Sequence, residues 1–241
     1  MNAHLTRLAI LLLLTRPGFA AEDGWKPLIG ESPKDAWHFF AEQWIIAGDA
    51  KLDEKNPKRL VAVPGKGVLV NGPGRVRDLV TKETFTDVEV HVEFMVPKGS
   101  NSGVKLNGLY EIQILDSYGK KKLTGDDCGG IYPRAEEKPR YRIIDEGVPP
   151  RVNACKKPGE WQALDIVFRS PRFDKDGKKT EHARFVKVVL NGQVIHENVE
   201  VKYPTGAAWV KKEVERGPLL LQSDHGPVAF RNVRVRSLEK R

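Results

Sequence analysis

Cysteine is scarce in this chain: Cys128 and Cys155 are the only two among 241 residues. Two cysteines cannot build the disulfide framework of a small secreted scaffold. With no third and fourth ligand at suitable spacing they do not make a zinc site either, and no metal or other cofactor is expected. Glycine shows no three-residue period, which excludes collagen, and an apolar share of 40% excludes a disordered chain. Beyond Leu14 no apolar run approaches the length of a bilayer span. Gly-x-Gly-x-x-Gly, Walker, Gly-x-Ser-x-Gly and His-Glu-x-x-His signatures are all missing, so nucleotide chemistry and serine or zinc hydrolysis are poor assignments. The formal charge of +8 is spread along the chain rather than gathered into an arm, which argues against nucleic acid as a partner.

What is present begins with a short N-terminal stretch carrying Arg7, an apolar run Leu8–Leu14, then Pro17 and the small residues Gly18 and Ala20. This pattern reads as a signal peptide over residues 1–20 with cleavage after Ala20, leaving residues 21–241 as one exported domain, periplasmic or extracellular, with no membrane span. In an oxidising compartment Cys128 and Cys155 are expected to pair, pinning a long ordered loop rich in Pro and Arg.

Most of the remaining apolar runs are short, rich in Val, Ile and Phe, and bounded by Gly, Pro, Asn or Asp, the pattern of strands separated by turns. Ten or more such segments predict an all-β, antiparallel two-sheet sandwich. Asn191-Gly192 marks a tight hairpin between Val188–Leu190 and Val194-Ile195. Alternation assigns faces: Val88, Val90, Val92 and Phe94 oppose Glu89, His91 and Glu93; Tyr110, Ile112 and Ile114 oppose Glu111 and Gln113. Glu89, His91, Glu93, Glu111 and Gln113 are therefore expected to share one polar sheet face, with proton-transfer groups beside an amide. Such a face suits a neutral, hydroxyl-rich sugar. A solvated face with chance charges fits the same alternation.

The motifs Asn101-Ser-Gly103, Tyr110-Glu-Ile-Gln-Ile-Leu-Asp-Ser117, Cys128-Gly-Gly-Ile-Tyr132, Val152-Asn-Ala-Cys-Lys-Lys-Pro-Gly-Glu-Trp161, Val189-Leu-Asn-Gly192, Gly217-Pro-Leu-Leu-Leu-Gln222, Asp224-His-Gly226 and Phe230-Arg-Asn232 occur in that order over nearly all of residues 23–238. Together they resemble the 3-keto-disaccharide hydrolase domains. The resemblance implies a concanavalin A-like jelly roll acting on glycosides whose sugar already carries a ketone at C3. That ketone acidifies the hydrogen at C2, and the resulting enolate can expel the substituent at C1, giving elimination or net hydrolysis. Such a site needs a base near the C2 hydrogen, donors aimed at the enolate oxygen, and a proton for the leaving oxygen.

Glu111 and His91 are the candidate catalytic groups. Lys105 is a candidate for polarising the ketone and Asn107 for touching the distal sugar. Gln113 and Gln222 suit hydroxyls because an amide both donates and accepts. Tyr132 could stack on a ring, and His225 stands in a loop between Asp224 and Gly226. The expected partner is thus a small carbohydrate. A non-catalytic carbohydrate-binding module is the alternative on the same scaffold; an envelope protein meeting anionic polymers is a third.

Overall fold

A computed structural model describes residues 24–30, 33–38, 40, 43–72 and 74–239. The expected signal peptide and its cleavage site lie outside the described residues. Among those described, the strands of the first half are β1 (Lys26–Pro27), β2 (Trp37–His38), β3 (Trp44–Leu52), β4 (Leu60–Asn71), β5 (Leu79–Phe85), β6 (Val88–Met95), β7 (Asn101–Leu106) and β8 (Tyr110–Leu115). The second half adds β9 (Ala135–Glu136), β10 (Arg142–Ile143), β11 (Gln162–Arg169), β12 (Arg172–Phe173), β13 (Lys179–Glu181), β14 (Ala183–Leu190), β15 (Gln193–Val201), β16 (Gly217–Leu221) and β17 (Ala229–Ser237). Among the described residues the helical content is two short 3-10 turns, Pro33–Asp35 and Ala207–Val210.

The strands form the expected antiparallel sandwich, a jelly roll of two main sheets. One sheet has eight strands in the order β15-β14-β11-β6-β17-β4-β3, with β1 alongside β17; the other has five in the order β2-β5-β16-β7-β8. Two small ribbons, β9-β10 and β12-β13, lie outside them. The core is made by the inward positions that alternation assigns: Val88, Val90, Val92 and Phe94 from the larger sheet face Tyr110, Ile112 and Ile114 from the smaller, all essentially inaccessible to solvent. Tyr110 and Phe168 join the sheets with ring centroids 5.5 Å apart, and Phe168 continues to Phe185 at 5.2 Å. Each such fully buried side chain contributes on the order of 2 kcal/mol of transfer free energy.

Two hairpins show why local turn chemistry holds. Asn191 and Gly192 both have positive φ, 52° and 80°, and join β14 to β15 as read from the sequence. Asn107 and Gly108, at 54° and 66°, do the same between β7 and β8.

The sheet assignment differs from the expected shared face. β6 pairs with β11 and β17 in the eight-stranded sheet, while β8 pairs with β7 in the five-stranded one. Glu89, His91 and Glu93 therefore lie on one outer surface of the sandwich, and Glu111 and Gln113 on the other.

The cysteines also differ from expectation: Cys128 and Cys155 are both free and buried. Each thiol acts on the other: the neighbouring Cys155 and burial raise the Cys128 pKa, while the neighbouring Cys128 lowers that of Cys155. The loop between them is anchored without a covalent staple. Gly129 and Tyr132 donate backbone N–H to the carbonyls of Gln113 and Glu111, and the Asn153 amide donates to the carbonyls of Ser117 and Lys120.

Candidate active site

The outer face of the five-stranded sheet is the floor of a cavity of about 510 Å³, within the usual size of small-molecule sites. Because Val104 and Leu106 point into the core, Lys105 and Gly103 point out. Register then sets Lys105 opposite Glu111 and Gly103 opposite Gln113. From the neighbouring β16, Leu220 stands opposite Lys105 and Gln222 follows it on the same face. Asp78, just before β5, completes this floor.

β8 is the last strand of its sheet and would expose a row of backbone donors and acceptors. Residues 129–132 cover that edge: besides the two bonds already named, Gln113 N–H donates to the Gly130 carbonyl at 2.9 Å. The same segment then raises Tyr132 as a wall, and the β9–β10 ribbon adds Tyr141, whose hydroxyl donates to that of Tyr132 at 3.0 Å. Thr205, which accepts the Glu111 N–H, belongs to a second wall running to Lys211. Asp224 and His225 close the rim. The polar face is thus roofed: Glu111 is only 3% exposed and Gln113 2%, although neither enters the apolar layer between the sheets.

Lys105 Nζ lies 3.2 Å from Glu111 Oε2. Burial raises the Glu111 pKa, and the Lys105 ammonium offsets only part of that effect. For Lys105, burial disfavours the charge, but the Glu111 charge and hydrogen bond, joined by Asp78 and Asp224, outweigh it and raise the pKa. Asp78 is raised by burial and by Asp224, against the Ser223 N–H that it accepts at 2.7 Å and the Lys105 charge. Tyr132 is raised by burial and by its bond to Tyr141, so it stays a neutral phenol. His225 Nδ1 is engaged by Asp224 Oδ1, leaving Nε2 as the nitrogen available to the cleft. The arrangement offers a carboxylate base of raised pKa, a fixed ammonium beside it, and an imidazole at the rim.

The family model described as the 3-keto-alpha-glucoside-1,2-lyase-like domain matches residues 23–236. The chain belongs to that family. Its carbohydrate-acting role follows from this membership. Among solved structures, a candidate glycosyl hydrolase from Parabacteroides distasonis ATCC 8503 is 28% identical with a TM-score of 0.64, covering 90% of this chain and 84% of that one. A second candidate glycosyl hydrolase from the same organism, 22% identical with a TM-score of 0.58 over 89% of this chain and 99% of its own, shares the fold. No curated protein matches.

Within this family member the cavity brings together Lys105, Glu111, Gln113, Tyr132, Gln222 and His225, as the sequence reading expected of a common site. His91 is not among them. It sits on the far surface of the sandwich, its Nδ1 2.6 Å from Asp165 Oδ1 and its Nε2 3.2 Å from the Asn232 amide, because β6 belongs to the other sheet. Asn107 is likewise displaced from the sugar-contact role. It is the first of the two left-handed residues of the β7–β8 turn, and its amide donates to Ser170 Oγ and the Val214 carbonyl. The Asn-Gly signal recognised at Asn191 is also present at Asn107 and identifies the turn. Asp78, Tyr141, Thr205 and Lys211 escaped sequence reading, since they stand outside the alternating strands and reach the cleft only through tertiary packing. Among the described residues no cluster of three or more His, Cys, Asp or Glu is arranged to hold a metal ion.

Proposed function

We propose that this chain is an exported enzyme that cleaves 3-keto-glycosides by elimination across C1 and C2. The observation that carries the reading is the pairing of half-buried Lys105 with buried Glu111 on the cleft floor, 3.2 Å apart. The acidic hydrogen and the ketone of such a substrate sit on adjacent ring carbons, so base and electrophile must be neighbours in the protein too. Glu111 takes the proton from C2. The electron pair passes into the enolate, whose oxygen meets the Lys105 ammonium. Collapse of the enolate forms the C1–C2 double bond, restores the C3 ketone and breaks the C1–O bond, and the leaving oxygen takes a proton from water or, when the His225 ring carries a proton on both nitrogens, from its Nε2. The atoms of the glycoside are divided between an unsaturated keto sugar and an alcohol; later addition of water would give net hydrolysis.

A carboxyl group with a raised pKa is a stronger base than an ordinary glutamate once ionised, and the ammonium costs no reorganisation when charge develops. Export rests on residues 1–20 alone. The test is incubation with a 3-keto-glucoside in deuterated water, following aglycone release and the C2 position by mass. Release with exchange or a primary isotope effect at C2 supports the reading. Sugar binding with no release indicates a carbohydrate-binding module, and cleavage of unoxidised glycosides without any C2 effect overturns the mechanism.

A further inference from the structure

We propose that the cleft is selective for uncharged sugars: Asn101, Gln113 and Gln222 read the hydroxyls of one pyranose ring, and the surrounding surplus of carboxyl groups turns away uronates and sugar phosphates. This rests on the reading above and narrows its substrate class.

The first observation is hydrogen bonding. Asn101 Oδ1, Gln113 Oε1 and Gln222 Oε1 are buried at the cleft and carry no partner among the described residues, with Gln113 2% and Gln222 8% exposed. A buried amide oxygen without a partner is unfavourable, so three at one site call for a ligand that supplies donors. A 3-keto-glucosyl ring offers hydroxyls at C2, C4 and C6 and a single carbonyl. The floor offers the complement, three free acceptors and one ammonium on Lys105.

The second observation is charge. Four carboxyl groups, Asp78, Glu111, Glu137 and Asp224, line the cleft against the two ammonium groups of Lys105 and Lys211 and the imidazole of His225, which is itself engaged by Asp224. Lys105 is already paired with Glu111, and Lys211 is exposed at the mouth. This is opposite in sign to the chain as a whole, whose formal charge is +8. A carboxylate or phosphate on the ligand would lose water and meet like charge in a poorly screened site.

The experiment uses the p-nitrophenyl 3-keto-glucoside and the matching 3-keto-glucuronide, which adds a carboxylate at C6. Aglycone release and calorimetric binding are read from the same protein. Wild type should prefer the neutral sugar at least about tenfold. Gln113→Leu and Gln222→Leu should each weaken the neutral sugar about tenfold. Asp78→Asn, which can still accept the Ser223 N–H, should recover part of the glucuronide binding. Equal or tighter binding of the glucuronide, no binding of the neutral sugar, or no recovery in Asp78→Asn would overturn the proposal. Selective binding without release from either sugar would refute the elimination while leaving the charge selection standing.

Discussion

Gly103 lies directly beneath the Glu111 carboxylate: a β-carbon placed on it would fall 2.1 Å from Glu111 Oε1 and 2.9 Å from its carboxyl carbon. The glycine of Asn101-Ser-Gly103 is thus a seat for the proposed base, not a turn residue, and its backbone is ordinary extended strand. Gly103→Ala must push the carboxylate away and break its contact with Lys105. Misplacement of a reacting group by about 1 Å can cost about 10²-fold in rate. Turnover should fall by that order, while denaturant unfolding shows a loss of about 1–3 kcal/mol, typical of overpacking. Normal turnover in a folded Gly103→Ala protein would remove Glu111 from the mechanism.

The base is tested more directly by Glu111→Gln, which keeps the volume and loses the proton acceptor. Turnover of a 3-keto-glucoside should drop about 10²-fold or more if proton transfer limits the rate, with a smaller change in binding. His91→Gln serves as the contrast, because His91 lies on the opposite surface with Asp165 and Asn232. It should leave kcat and KM within about twofold. The reverse pattern, a silent Glu111→Gln and a crippled His91→Gln, would place the chemistry on the other face of the sandwich.

These two residues also show where sequence reading stops. Alternation correctly put His91 and Glu111 on the polar side of their own strands, because residues two apart share a face whatever the fold. It carried no information on which sheet each strand joins, since β6 finds β11 and β17 from far along the chain whereas β8 finds its hairpin neighbour β7. Local signals served well: Asn191-Gly192 gave the β14–β15 hairpin. Asn107-Gly108 carries the same signal for the β7–β8 hairpin. Glu111 was legible as a candidate, but its burial was not, because the roof comes from residues 129–132 pairing with an edge strand. Asp78 shows no pattern at all in the sequence and reaches the cleft through the Ser223 N–H that holds it.

The roof itself should be pH-sensitive. His196 on β15 is buried, and its Nε2 donates to the Gly129 carbonyl at 2.7 Å, bracing the segment that covers β8. Burial lowers its pKa below the ordinary 6.5, opposed by that hydrogen bond and aided by the Arg151 charge. The unfolded chain therefore takes up this proton first, and protons favour unfolding. The contribution is complete above the unfolded histidine value and is lost as pH falls from about 6.5 toward the lower folded value. The midpoint of thermal unfolding should decline over this interval in the wild type and less steeply in His196→Gln, measured by calorimetry at matched ionic strength. Asp127 and Asp145, lowered by Lys120 and Arg134 against the effect of burial, act in the same direction but only below the ordinary aspartate range.

The pH dependence of turnover follows from the Lys105–Glu111 pair and can be separated from stability by a substitution. Glu111 must be ionised to accept the C2 proton, and burial raises its pKa above the ordinary 4.5. The acid limb of kcat/KM should therefore lie above that of an exposed glutamate. Lys105 must stay charged to meet the enolate oxygen, and its pKa is raised above 10.5, so an alkaline limb from this group lies beyond that value. Lys105→Met removes the ammonium that holds Glu111 down while leaving it buried. Its carboxyl pKa must then rise further, and the acid limb should move to higher pH as the maximal rate falls about 10²-fold or more. A loss of rate with an unmoved acid limb would mean that the limb belongs to another ionisable side chain of the cleft, which Asp78, Glu137, Asp224 and His225 also line. Both measurements are made within the pH range where the variant's near-ultraviolet dichroism matches the wild type, so that a shift in the limb reports ionisation and not unfolding.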